Sequence, residues 1–292
     1  MIEELKRVCK LDEEVDMTLY NTYRLHTKAK CVVFPCDINE LKKVLEIVKN
    51  GNSKYLILGN GSNVILPDYY DGVVIKLDNF NKCEINDDYV YVECGYMINK
   101  LALELVNKGY SALEWASGIP GSIGGCIYNN AGAYKSEISD VLISVNVFDG
   151  KDIKEIDASK LEFEYRDSIF KKNKNLIIIS CKIKINKSSK EELMELITER
   201  TNKRIQTQDL SHPSCGSVFR NPENVPAGKL IDDLGLKGYS INGAGVSNIH
   251  ANFIINNGNA TQKDIVELIN KIKKDVKDTY NIDLILEQEI IK

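Results

Sequence analysis

Residues 117–125 read Ser-Gly-Ile-Pro-Gly-Ser-Ile-Gly-Gly, four glycines in nine positions. Glycine tolerates positive φ and lets other groups approach the main chain, at an entropic cost on folding. A turn that is only structural rarely needs so long a bare stretch. Two readings follow: an irregular buried loop, or unhindered backbone suited to a long anionic ligand such as a diphosphate. The run leads into Asn129-Asn130-Ala131-Gly132-Ala133-Tyr134.

A second glycine turn, Leu58-Gly59-Asn60-Gly61-Ser62-Asn63, mimics the dinucleotide fingerprint G-x-G-x-x-G and fails it twice. Position 64 is Val, and residues 64–67 read as strand. The fingerprint needs a helix N-terminus there to face a pyrophosphate. What remains is strand–turn–strand, either a tight hairpin or an anion nest of successive N–H groups.

The rest of the chain is mixed. Asp37 and Glu40 make a capping-box-like start. Ile38, Leu41, Val44, Leu45 and Val48 then recur at helical spacing up to Gly51. Ile98, Leu101, Ala102, Leu105 and Val106 repeat the pattern before Gly109, and Thr261 with Asp264 opens a helix carrying Ile265, Leu268, Ile269, Ile272 and Val276. Strands are expected at 31–34, 55–58, 73–75, 89–92, 181–185, 253–255 and 284–286. Residues 187–209 read as a solvated connecting helix beside a domain boundary. There is no regular βαβ beat, so the fold class is α+β rather than doubly wound α/β.

At 292 residues the chain has room for two or three domains. Its 43% hydrophobic and 27% charged residues exclude a disordered chain, a collagen or a coiled coil. The net charge of −4, without a basic block, gives no electrostatic footprint for nucleic acid. The N-terminus lacks the plan of a signal peptide, and no apolar run approaches the ~20 residues that span a bilayer. A cytoplasmic protein with reduced thiols is expected. Most of the eight cysteines then read as small buried hydrophobes. Neither they nor His26, His212 and His250 show zinc-ligand spacing, so no metal is expected.

The two glycine segments and Asn130-Ala131-Gly132-Ala133-Tyr134 together resemble the FAD-binding segments of the UDP-N-acetylenolpyruvoylglucosamine reductase (MurB) family. That family belongs to the wider vanillyl-alcohol-oxidase-type flavoprotein fold. Further matches are Glu164-Tyr165-Arg166-Asp167-Ser168, residues 213–222 around Cys215-Gly216-Ser217, Ala227-Gly228-Lys229-Leu230-Ile231, residues 246–253 and Leu286-Glu287-Gln288-Glu289-Ile290. They occur in the family's order from about residue 21 to residue 290.

The resemblance implies an N-terminal helical segment at 1–20, an FAD-binding domain at 21–190 (lobes of about 21–80 and 81–190) and a C-terminal α+β substrate-binding domain at 200–292. It also implies NADPH-dependent reduction, through non-covalently held FAD, of the enolpyruvyl ether of UDP-N-acetylglucosamine to UDP-N-acetylmuramate, for peptidoglycan synthesis. NADPH would bind and leave before the substrate enters. A monomer is favoured. Another FAD oxidoreductase of this fold, or a non-catalytic sugar-nucleotide binder, are the competing readings.

Hydride delivered to C3 of the enol ether builds negative charge at C2 and on the carboxylate. Such a reaction needs a cation, an acid and exclusion of water. Arg166 matches the family's carboxylate-holding arginine, Ser217 its proton donor to C2, and Glu289 the accompanying glutamate. Arg24, Gly59, Asn60, Gly61, Ser62, Asn63, Gly118, Pro120, Gly121, Ser122, Gly124, Gly125, Asn130, Gly132 and Tyr134 match FAD-binding positions. Asn221 and Lys229 match substrate-binding ones. A Cys215–His212 nucleophile pair is disfavoured, since no third residue orients it.

Three departures bear on FAD. His26-Thr27 stands where the family usually has two glycines, Asn60 where glycine is usual, and Lys135-Ser136 where a glycine pair is usual. The short interval from Arg166 to Ser217 marks the compact type of the family, without the inserted substrate-capping loop.

Overall fold

A computed structural model describes residues 1–292, which divide into two compact units. One comprises residues 1–12, 31–60 and 72–202; the other comprises 13–30, 61–71 and 203–292.

The first unit is built on a five-stranded antiparallel sheet in the order Ile153–Asp157, Leu142–Phe148, Ile177–Lys184, Tyr89–Glu93, Cys83–Ile85. Over Cys181–Lys184 burial alternates as a half-wet strand requires, while Ile177–Ser180 is buried on both faces. The Ile123–Tyr128 helix packs on Tyr89–Glu93 and Ile177–Lys184. The helix Ile38–Asn50 is capped as its sequence suggests, with the Asp37 carboxylate accepting from Asn39 N and Glu40 N. Such a cap is worth about 1 kcal/mol. The Glu40 carboxylate reaches back to Cys36 N at 2.7 Å. Leu41, Val44 and Val48 enter a continuous core with Leu101, Leu105, Val145 and Ile183.

A four-stranded sheet runs in the order Lys10–Asp16, Lys28–Phe34, Tyr69–Ile75, Tyr55–Ile57, and its last pair is parallel. The chain passes from one unit to the other within three of these strands. The N-terminal twenty residues are therefore not simply helical: a five-residue helix, Ile2–Lys6, is followed by the seven-residue strand Lys10–Asp16. The run of charges in that strand obscured it, because its outer residues face water.

The second unit has its own core. A three-stranded sheet, Ser240–Ile241, Ala244–Val246, Ile254–Asn256, is covered by the helix Gln262–Tyr280. That helix starts where expected, at Thr261, on a Thr261–Asp264 capping box, and buries Ile265, Leu268, Ile269, Ile272 and Val276. The strand expected at 284–286 is absent as such. Leu284 is buried, Leu286 makes one bridge to Phe219, and the real strand is Glu289–Ile290, parallel to Val64–Ile65.

Candidate active site

In the first unit the two glycine segments meet. Asn60 Nδ2 donates to Pro120 O at 2.7 Å. A Cβ at Gly59 would sit 2.6 Å from Ser122 Oγ, so a larger residue would force that side chain off Gly125 N. The ammonium of Lys76, nearly fully buried, donates to Gly59 O and pairs with Asp78 at 3.2 Å. Burial pulls the Lys76 pKa down, and Asp78 opposes that. The stretch 117–125 is not wholly irregular: Ser122 Oγ accepts from Gly125 N at 3.3 Å and starts the helix Ile123–Tyr128. Glycines at 124 and 125 hid this short helix, since their propensity argues against one.

The N–H groups of Gly59, Asn60, Gly118, Gly121 and Ser122 donate to no group of the protein. Backbone donors without a partner want an anion or water. These loops therefore fit a diphosphate-bearing cofactor held by main chain, which is compatible with the protein's net negative charge.

Asn130, Gly132 and Arg166 form one cluster. Arg166 Nη2 donates to Gly132 O at 2.6 Å and Nη1 to Asn130 O at 3.3 Å. Asn130 Nδ2 donates to Glu137 Oε1 at 2.8 Å and Glu164 O at 3.0 Å. Asn130 (φ 42°), Tyr134 (φ 55°), Lys135 (φ 64°) and Arg166 (φ 57°) are all left-handed without being glycine. Such conformations persist only where neighbours over-determine them, and they concentrate at functional sites. A Cβ on Gly132 would lie 2.6 Å from Ser136 O and 3.1 Å from Arg166 Nη1. Tyr134 is gripped twice by Arg200, whose carbonyl accepts its hydroxyl at 3.1 Å and whose guanidinium lies 4.8 Å from the ring centroid.

In the second unit, buried amide side chains do the positioning. Gln288 Nε2 donates to the carbonyls of Cys215, Gly216 and Ser217 at 3.2–3.4 Å, while its Oε1 accepts from Tyr23 Oη at 2.9 Å. Asn252 brackets Phe219, accepting from its N–H at 3.0 Å and donating to its carbonyl at 2.8 Å. Ser217 bridges to Phe253, and Glu287 N donates to Val218 O at 2.8 Å. Glu289 N donates to Asn63 O at 2.9 Å. The chain segments carrying Ser217 and Glu289 are thus tied together through Gln288 and Glu287. Gly216 (φ +69°) supplies the turn into Ser217.

Gln288, Asn252 and Lys76 were not singled out from the sequence, although each was visible as a polar residue in an apolar or matched segment. Asn256 is a fourth: its Nδ2 donates to Tyr23 O at 2.8 Å and Arg24 O at 3.3 Å, holding Arg24 at φ 55°.

Other candidates lie in the same unit. Gly61 (φ +65°) packs so tightly on Tyr20 and Asn21 that a Cβ would sit 2.1 Å from Tyr20 O. The N–H groups of Gly61, Ser62 and Asn63 donate to nothing in the protein. Asn221 Oδ1 accepts from Ala227 N at 3.0 Å, at the start of the Ala227–Asp233 helix. Lys229 is exposed and pairs with Asp233 at 2.9 Å. Thr27, in the departure from the glycine pair, is buried with an unpaired hydroxyl, and His26 is exposed.

The thiol of Cys215 is buried, contacts Thr22 Oγ1 at 3.1 Å, and is pushed up to about 11 by that burial. Contrary to the sequence expectation, Asp209 does orient His212, at 2.9 Å from its Nδ1, but the Cys215 thiol bonds Thr22, Gly61 O and Val64 O rather than that imidazole. Burial favours the neutral acid of Asp209, but hydrogen bonds with His212, Ser247 and Ser211 outweigh it and hold its pKa at about 2. His250 Nδ1 accepts from Asn252 N at 3.2 Å, a structural role.

Comparison with known proteins agrees with these features. Residues 208–291 match the family model for the C-terminal domain of UDP-N-acetylenolpyruvoylglucosamine reductase, and residues 29–154 match an FAD binding domain. The chain is 36% identical to the UDP-N-acetylenolpyruvoylglucosamine reductase of Bacillus subtilis, covering 100% of this chain and 98% of that protein. It is 38% identical to that of Bacillus licheniformis, with the same coverage. The crystal structure of the reductase from Thermus caldophilus superposes with a TM-score of 0.84 at 30% identity, covering 97% of this chain and 100% of that one. The glucose dehydrogenase Phl p 4.0202, at 10% identity, TM-score 0.52 and coverage of 64% and 44%, shares the fold alone. With full-length identity well above 30% and the cofactor loops built as described, the chain belongs to the UDP-N-acetylenolpyruvoylglucosamine reductase family.

Proposed function

We propose that this protein is the FAD-dependent enzyme that reduces the enolpyruvyl ether of UDP-N-acetylglucosamine with NADPH, yielding UDP-N-acetylmuramate for peptidoglycan. The residues at 21–190 bind FAD and those at 200–292 bind the UDP-sugar. It works in the cytoplasm, as a monomer. Bound FAD supplies the hydride chemistry. The main-chain N–H groups of Gly59, Asn60, Gly118, Gly121 and Ser122 hold the cofactor's diphosphate. The guanidinium of Arg166, always charged and with two donors to offer, holds the substrate carboxylate as charge develops there. The hydroxyl of Ser217 gives its proton to C2, and the carboxylate of Glu289 supports that transfer. Asn221 and Lys229 contact the sugar or diphosphate.

The observation supporting these roles most is the Gln288 amide, which ties the Cys215-Gly216-Ser217 carbonyls beside the strand that carries Glu289. A pure binder would have no use for an acid at C2. Purified protein should be yellow. NADPH alone should bleach the flavin absorbance, and the enolpyruvyl substrate should then restore it anaerobically. A colourless protein that takes up no FAD, or a flavin indifferent to NADPH, would refute the assignment.

A further inference from the structure

The reaction leaves the cysteines unused. All eight are free thiols, and five of them are buried. Cys36 is exposed and Cys9 partly so, and the fold brings these two to one end of a sheet. The neighbouring strands Lys10–Asp16 and Lys28–Phe34 are joined by a connection that closes with Met17 N donating to Thr27 O at 2.8 Å. That closure brings the start of the first strand toward the end of the second, with Glu14 (φ 47°) irregular between. In agreement, the Lys10 ammonium lies 4.9 Å from the Phe34 ring centroid. Cys9 precedes one member of this pair, and Cys36 follows the other by two residues. The main chain of Phe34 touches both thiols: it hydrogen-bonds Cys9, and its carbonyl accepts from Cys36 Sγ at 3.9 Å. The Asn79 amide, 3.5 Å from Cys36 Sγ, holds that thiol from the other side.

We propose that Cys9 and Cys36 form a reversible disulfide on exposure to a hydroperoxide, stapling the N-terminal segment to the peptide that leads into the Ile38–Asn50 helix. The exposed Cys36 reacts first. Its thiolate attacks one oxygen of hydrogen peroxide, the O–O bond breaks, and hydroxide leaves as a sulfenic acid forms. The Cys9 thiolate then attacks the sulfenic sulfur and expels a second hydroxide. The two thiols give up two protons and two electrons, and one peroxide becomes two waters. Burial, together with the nearby Glu40 carboxylate and Cys36 itself, pushes the Cys9 thiol up to about 11. The closing step is therefore slow near neutrality and quickens as pH rises toward that value.

The test treats the folded FAD-loaded protein with hydrogen peroxide, then denatures and alkylates it and maps peptides without reductant. The expected product is a Cys9–Cys36 linked peptide, two fewer alkylated thiols, and full recovery with dithiothreitol. Cys36→Ser should abolish the link. Cys9→Ser should leave a Cys36 sulfenic acid that dimedone traps. In the wild-type protein the decay of that dimedone-reactive species should accelerate by about tenfold per pH unit above neutrality. The proposal fails if Cys36 oxidises while Cys9 stays alkylatable, or if the link forms only in urea. A pH-independent decay would equally remove Cys9 as the closing thiol.

Discussion

The two units hold their candidate residues by different means. In the first, close main-chain approach sets the frame: glycines at 59 and 132, left-handed residues at 130 and 166, and carbonyls that accept from Arg166, Lys76 and Asn60. In the second it is set by buried amide side chains, Gln288, Asn252 and Asn256, each spanning two or more backbone groups. The cofactor loops must leave their N–H groups unpaired to bind an anion, so little side chain can be spent there. The Ser217 segment carries no such demand on its main chain, so its carbonyls can be satisfied internally by Gln288.

The largest expected effect separates chemistry from scaffold in the second unit. Ser217→Ala should leave flavin bleaching by NADPH intact and slow the substrate-dependent step by ~10²-fold or more. Rapid-mixing absorbance checks both steps, and an unchanged second step would remove Ser217 as the acid.

Gln288→Leu tests whether an amide truly positions that serine. It would leave three carbonyls and the Tyr23 hydroxyl without their partner, at a cost of roughly 2–3 kcal/mol. The midpoint of urea unfolding and the rate of the second step should fall together, while FAD reduction is retained. A fall in stability alone would show Gln288 to be scaffold only.

The next effect is one of pH. Because the carboxyl of Asp209 is held below its unfolded value, its stabilisation is complete above pH ~4 and lost as pH falls toward 2. The loss is roughly 2 kcal/mol. Asp209→Asn should flatten this part of the pH–stability curve, measured by denaturant midpoints.

The smallest effect probes the first unit. Lys76→Met removes the donor to Gly59 O and should weaken FAD retention ~5–10-fold, about 1 kcal/mol. Ultrafiltration of the flavin measures it. Stability should change little if the loop is held mainly by glycine packing and the Asn60–Pro120 bond. A larger loss would mean that a side chain, not main chain, governs this unit too.

Much of the fold was legible because the signals were local. The helices at 38–50, 98–107 and 262–280 follow from apolar spacing, caps and stops within each segment. The motif order pointed to the family and to residues at 59–63, 118–125, 166, 217 and 289. Misreadings came where local preference and tertiary demand disagree. The apolar 284–286 segment is buried by contacts with other segments rather than by a ladder of its own. The charged strand at 10–16 exists because a neighbouring strand pairs with it, and the helix at 123–128 forms in spite of two glycines.

By itself, the sequence determined the α+β class and the long glycine-rich stretches of bare backbone, and its motifs carried the family resemblance. These depend on residue type and spacing, which the chain carries wherever it folds. Only the tertiary structure decided which groups hold those residues in place. Gln288 reaches back 71 residues to the Ser217 carbonyl, and Asn130 meets Arg166 across 36. It also set Cys9 and Cys36 against one peptide. A hydrogen bond depends on distance in space and not on separation along the chain, so partners of this kind leave no mark on local composition.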